Sequence, residues 1–334
     1  PLSEELVDEH EGLEDLKAGL IRTIGRPEDR FFEDGLRPIR ACRFLSTLDF
    51  FFFVATEKAL SNPDVQKRTA LVAIERFTDE LRKGMKAANP GPMLRKLQES
   101  GLLQVFLGRL DHPEKTEIPG HGVLPLPFET ELLAAPAGLS DIGTALRQIQ
   151  DGWDWLVDIR MYLWFRFLFP DLNLQQKNAI LRGWKFPNHT LQCLEACYLL
   201  FESNPALMSL DSEAKQAVAI VQGNYESRKL LFRLDKILSG RLQPFLQIWE
   251  TLLELLPEPD GLSKNLIQIL GHDFRHGSFR TRDLAIGGKD LMAMGIQGKA
   301  VGDALQECLE QVWAHPERNE RNTLLEFLKK QRHN

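Results

Sequence analysis

The stretch Arg30-Phe31-Phe32-Glu33-Asp34-Gly35-Leu36-Arg37-Pro38-Ile39-Arg40-Ala41-Cys42-Arg43-Phe44 sets an acidic pair ahead of arginines at 37, 40 and 43. Helical residues three apart are near neighbours, so this spacing predicts Asp34, Arg37 and Arg40 on one broad face. They would offer an acceptor beside several fixed donors. A nucleobase edge needs that pairing, and a triphosphate needs the remaining positive charge. The same charges also fit a plain helix start, with Glu33 and Asp34 at the positive N-terminal end and Asp34 paired to Arg37.

Further places carry residue types suited to chemistry. Ile74-Glu75-Arg76-Phe77, followed by Glu80-Leu81, sets an ion-pairing carboxylate beside an arginine on an amphipathic run. Glu75 is expected to hold Arg37 or a neighbour through a bidentate pair, and a solvated salt bridge fits equally. Asp283 to Ile296 and then Gly298 to Gly302 combine glycines with Lys289 and Lys299. Glycines permit close backbone approach, and a helix start here would face phosphate; a glycine-capped helix–loop–helix fits the same spacing. Cys193 and Cys197 lie one helical turn apart on an apolar stretch and read as a buried thiol pair. His272-Asp273 is the sole His-Asp pair in the chain, and no set of His and Asp with metal-ligand spacing accompanies it. No metal ligands are expected.

These side chains need elements to hold them. Residues 1 to 25 mix strand-like pieces, Leu6-Val7 and Leu20 to Ile24, with a turn and brief helix from Glu11 to Leu16. From Arg30 the periodicity turns helical: one helix over Phe31 to Leu48, a short one over Thr56 to Leu60 entered from the aromatic run Phe50 to Phe53, one over Ala70 to Ala87, and one over Met93 to Leu107. Residues 108 to 127, with His112, His121 and several Pro and Gly, read as a loop. Helices resume near Glu129 and run to the end, with breaks at Pro136 to Gly138, Pro170, Pro187, Pro205, Pro257 to Pro259, Gly287-Gly288 and Pro316.

The chain has 334 residues, which points to two or three folding units rather than one small core. Its formal net charge of -6 argues against non-specific coating of nucleic acid while leaving room for a local basic groove. Four scattered cysteines suit a reducing, cytoplasmic setting better than a disulfide framework. No apolar run of spanning length occurs, since the most apolar stretch, Met161 to Phe169, holds Arg166 and stops at Pro170.

The arginine-rich stretch resembles the nucleotide-selecting motif of class II tRNA nucleotidyltransferases (CCA-adding enzymes) and bacterial poly(A) polymerases, whose core reads E-D-x-x-R. Other segments are similar to the same family in the same order. Asp8, Gly12, Asp15 and Leu16 followed by Ile21-Arg22 resemble its D-P-x-x-G-x-x-D-L link before an I-R strand, with Glu9 where the family has proline. Ile74-Glu75-Arg76-Phe77 resembles its E-R-I/F motif, and Gly288 to Gly295 resembles the G-x-D-L-M/L-x-x-G of the bacterial tail. The resemblance implies that Asp34 and Arg37 contact the Watson–Crick edge of CTP or ATP, that Arg40 and Arg43 contact nucleotide, and that Glu33, Glu75 and Arg76 support them. It implies tRNA near Lys289 and Lys299, and CTP and ATP as substrates.

The resemblance also implies a mostly α fold: an elongated multi-helix neck, body and tail after a short α/β remnant. The expected segments are 1–25, the end of a nucleotidyltransferase head; 26–107, the neck; 108–240, a body without an intact HD metal site; and 241–334, a tRNA-contacting tail. The family's Mg²⁺ is held by head carboxylates in a G-G/S-x-V/A-R-D and D-x-D pattern, which this sequence lacks, as it lacks the R-R-D-F that precedes the link. The chain alone is therefore expected to contain no catalytic residues and to be inactive, its head encoded upstream. A headless RNA-binding module, a poly(A) polymerase fragment and a purely helical protein-binding scaffold are the alternatives.

Overall fold

The computed structural model describes residues 7–107, 154–169, 172–201, 213–255 and 261–333. Its described residues are mostly helical, and they fall into two compact units, divided between Leu194 and Glu195.

The first unit opens with α1 (Gly12–Ala18), β1 (Leu20–Ile21), α2 (Pro27–Glu33), α3 (Arg37–Thr47) and β2 (Phe51–Phe52). It continues with α4 (Val54–Leu60), α5 (Pro63–Thr69), α6 (Ile74–Met85), α7 (Gly91–Glu99), α8 (Leu102–Leu107), α9 (Trp155–Leu168), α10 (Leu174–Gly183) and the start of α11 (Asn188–Phe201). Helix α3 packs on α6 and α7. Ile39, Cys42 and Leu45 on α3 are buried, as are Phe77, Leu81 and Met85 on α6 and Met93 and Leu97 on α7. Phe77 stacks on Phe106 with centroids 3.8 Å apart and meets the edge of Trp184 at 5.4 Å. Trp184 satisfies its own indole by donating to the Phe106 carbonyl.

The structure departs from three sequence expectations. The aromatic run is not merely a helix entry: Phe51-Phe52 forms β2, parallel to Leu20-Ile21. A two-residue strand is too short to leave an alternating signature in sequence. The helix expected over Phe31 to Leu48 is two helices, α2 and α3, broken at Asp34 to Leu36. Pro38 explains the break, because a proline deep inside a helix clashes with the carbonyl four residues back, here that of Asp34. It is accommodated instead in the first turn of α3. The helix expected over Met93 to Leu107 is interrupted at Ser100-Gly101, where Gly101 takes a φ of 75°.

The second unit holds the rest of α11, then α12 (Glu213–Ile237), α13 (Leu242–Leu255), α14 (Gly261–His276), α15 (Gly288–Ala293), α16 (Lys299–Ala314) and α17 (Arg321–His333). Short 3-10 turns precede α15 and α17. Leu291, Cys308, Leu309, Val312, Trp313, Leu324 and Leu328 form its terminal core. Arg280 clamps Asp235 through two bonds of 2.8 Å. The expected breaks at Pro187, Gly287-Gly288 and Pro316 coincide with helix boundaries. Leu6, the 108–127 loop, and the breaks at Pro136 to Gly138, Pro170, Pro205 and Pro257 to Pro259 lie outside the described residues.

Candidate functional site

The link between α2 and α3 gives Asp34 a conformation that neither helix could. Asp34 ends α2 in extended backbone, with φ -137° and ψ 107°. Its Oδ1 accepts from the Leu36 amide at 3.0 Å, and its carbonyl accepts from the Arg37 amide at 3.0 Å. An aspartate that bonds the backbone two residues on is a common way of making a tight turn. The bond to Leu36, helped by Arg76 and Arg37, holds the Asp34 carboxyl below the ordinary carboxylate range against a smaller opposing effect of burial. Asp34 is thus a carboxylate at neutral pH.

The ion pairs differ from those of the plain helix-start reading. Asp34 does not pair with Arg37: its Oδ2 faces Arg76 Nη2 of α6 at 3.4 Å. Arg37 instead reaches back to α2, where Nη1 donates to Glu33 Oε2 at 2.9 Å and to the Arg30 carbonyl at 3.2 Å. Glu33 is shared with Arg30 through its other oxygen. Both Asp34 and Arg37 remain open to solvent, their side chains 35% and 43% exposed, so neither is locked into a dry core.

Arg40 and Arg43 stand one turn apart on the face of α3 that meets α6. Both converge on Glu80: Arg43 Nε donates to Oε2 at 2.6 Å, and Arg40 Nη2 lies 3.4 Å from Oε1. Glu80 is 3% exposed, Arg43 17% and Arg40 44%. Glu75, expected to brace this helix, is exposed and forms no ion pair among the described residues. The α6 periodicity explains the exchange. Phe77, Glu80, Leu81 and Gly84 share the buried stripe of α6, and Glu75 falls off it. Arg76, beside Glu75, does reach Asp34.

Two open clefts lie among the described residues near this site. One, of about 680 Å³, is lined by residues between Val7 and Gly25, including Asp8, Asp15 and Arg22. Asp8 accepts from the Gly12 and Leu13 amides, and Asp15 pairs with Arg22 at 2.7 Å. The second, of about 590 Å³, lies between α2 and α5 and includes Phe32 and Arg68. Asp34 and Arg37 line neither of the two.

In the second unit Lys289 and Lys299 are exposed, on the first turns of α15 and α16. On α11, Cys193 of the first unit and Cys197 of the second are both buried. His272 Nδ1 lies 3.5 Å from Asp273 Oδ1, and the His272 and His276 ring centroids are 4.9 Å apart. Among the described residues no group of three or more His, Cys, Asp or Glu is placed to hold a metal ion. His112 and His121 lie outside the described residues. No described helix is long and apolar enough to cross a membrane.

This geometry can be set beside known proteins. A family model described as "Probable RNA and SrmB-binding site of polymerase A" matches residues 63–113. A CCA-adding enzyme of Bacillus velezensis is 29% identical over 327 residues, which cover 97% of this chain and 67% of that protein. One of Enterococcus faecalis is 25% identical over 334 residues, again 67% of its length. Over 106 residues, identity to a CCA-adding enzyme of Limosilactobacillus reuteri rises to 41%. The chain is thus similar to CCA-adding enzymes along almost its whole length. It spans about two thirds of the length of these two relatives. The fold agrees. The crystal structure of the Bacillus stearothermophilus CCA-adding enzyme in complex with CTP matches with a TM-score of 0.61 at 22% identity, covering 98% of this chain and 70% of that one. The Thermotoga maritima CCA-adding enzyme complexed with tRNA matches at 0.54 and 17% identity, covering 97% and 67%. The spacing of charges assigned no role to Arg68, whose guanidinium donates to the Phe32 and Glu33 carbonyls, or to Glu80, on which Arg40 and Arg43 converge.

Proposed function

We propose that the chain is the neck, body and tail of an enzyme that adds C and A to the 3′ end of tRNA from CTP and ATP. Asp34 and Arg37 act as its protein template. The observation that carries this reading is the pair itself: a half-exposed carboxylate and a half-exposed guanidinium on either side of one fixed turn. The Asp34 carboxylate accepts from the exocyclic amine of cytosine or adenine, and Arg37 donates to the neighbouring ring acceptor. Arg37 spends Nη1 on Glu33 and Arg30, which leaves Nε and Nη2 for a base. Arg40, half-exposed and anchored by Glu80, contributes positive charge for phosphate, and Arg43 holds the same carboxylate from the inner side.

Glu33 and Arg76 support the template by direct ion pairs, and exposed Lys289 and Lys299 contact tRNA phosphate. The segments 1–25, 26–107, 108–240 and 241–334 serve as head remnant, neck, body and tail. Mg²⁺ is held by head carboxylates of the D-x-D type, a pattern that occurs nowhere in these 334 residues. The division of labour is selection here and metal-assisted transfer in the head.

A second reading is a poly(A) polymerase, favoured by the polymerase A description of the model matching residues 63–113. One experiment separates them. The full-length gene product is incubated with tRNA lacking its terminal CCA and with each nucleotide in turn. Ordered addition of C, C and A supports the first reading. A long adenylate tail without cytidine supports the second, and binding of tRNA without any extension supports a headless module.

A further inference from the structure

We infer that Arg68 is a positioning residue for Asp34, fixing where the selecting carboxylate stands without touching the nucleotide. The inference rests on the proposed role of Asp34. Arg68 lies at the end of α5, more than thirty residues along the chain, yet its guanidinium reaches the end of α2. Nε donates to the Phe32 carbonyl at 2.8 Å and Nη2 to the Glu33 carbonyl at 3.3 Å. Those carbonyls belong to the last turn of α2, where a helix leaves acceptors without intrahelical partners and carries partial negative charge. A planar guanidinium satisfies two of them at once.

The backbone of α5 meets the same turn from the other side of Asp34. A Cβ on Gly35 would lie 2.6 Å from the Arg68 carbonyl oxygen and 2.9 Å from its carbon. Arg68 therefore holds the two residues before Asp34 by its side chain and abuts the residue after it by its backbone. Asp34 is the residue between these contacts, and its own side-chain ion pair goes elsewhere, to Arg76. Arg68 acts through peptide groups, so removing its guanidinium loosens the turn without deleting any proposed base contact.

The test replaces Arg68 by Ala, and separately by Lys, in the full-length enzyme. The Asp34 carboxyl is followed by carbon-13 NMR titration, and use of CTP is compared with use of UTP. In folded R68A the Asp34 midpoint rises toward the ordinary value near 3.9, because the bond from Leu36 loosens. R68K, which keeps charge but loses the fork, shifts it less. Preference for CTP over UTP falls on the order of tenfold in R68A, with KM for tRNA unchanged. In a D34A background the Arg68 change adds no further loss of preference. An unmoved Asp34 midpoint in a folded Arg68 variant overturns the inference, and so does an equal loss with CTP and UTP. If R68A does not fold, R68K carries both readouts. If D34A by itself leaves preference intact, it is the template reading that fails, and the titration still decides whether Arg68 holds Asp34.

Discussion

Arg43 Nε donates to Glu80 Oε2 across the α3–α6 contact at 2.6 Å, and Glu80 is almost wholly buried. Arg40 approaches the same carboxylate, so two arginines of α3 depend on one acid of α6. Removing one partner of a buried pair leaves the other charge uncompensated. Glu80→Ala should therefore destabilise the fold by about 3 kcal/mol, measured by urea unfolding. Glu75→Ala, at an exposed position off that stripe, should change stability by less than about 0.5 kcal/mol.

Asp34→Ala should relax the choice of nucleotide more than it weakens tRNA binding. Loss of one base contact should cost roughly 1–3 kcal/mol of discrimination, read from kcat/KM ratios for CTP and ATP against UTP and GTP. An unchanged ratio would reject the template role.

Gly35→Ala should be destabilising because the atoms in the way are backbone atoms of α5. Overpacking that cannot relax costs about 1–3 kcal/mol, visible as a lower Tm. Gly84 makes a useful contrast. A Cβ there meets mainly the flexible end of Met93, so its side chain can move aside at less cost.

Asp158 is fully buried, with His189 Nδ1 at 2.7 Å and the Thr190 hydroxyl donating at 2.6 Å. Burial raises its pKa above the ordinary value, and the bonds to His189 and Thr190 oppose the rise only in part. A raised carboxyl pKa means that the folded state binds a proton more readily than the unfolded one. Stability gained from this group is therefore present below the unfolded pKa near 3.9 and is lost as pH rises through the higher folded value. Relative to D158N, wild type should gain stability as pH falls through that window. Denaturant midpoints taken at a series of pH values check the sign.

Lys289 and Lys299 are exposed on the first turns of α15 and α16. If they meet tRNA phosphates, replacing either by Ala should weaken binding uniformly across tRNA sequences. The salt dependence of log K should become shallower by about 1 for each. An unchanged slope would place the tRNA elsewhere.

Much of the candidate site was legible because it is local. The run from Glu33 to Arg43 shows its charges and spacing directly, and the mostly helical character follows from apolar periodicity. The break at Asp34 was less visible, because the arginine spacing of three dominates the pattern while its decisive residue, Pro38, lies within it. Glu80 also carries a signal, three residues after buried Phe77 on an amphipathic stripe, but the motif-like Glu75-Arg76 pair beside it is the more conspicuous. Arg68 left no local mark, since its partners are carbonyls thirty-five and thirty-six residues away.

By itself the sequence determined which charges exist, where proline and glycine forbid a continuous helix, and which faces are apolar, since these depend on covalent structure and short-range sterics. Only the tertiary structure decided the partners: Asp34 with Arg76, Arg37 with Glu33, and Arg40 and Arg43 with Glu80. An ion pair is set by distances between packed helices, and those distances come from how side chains far apart in the chain fill a common core.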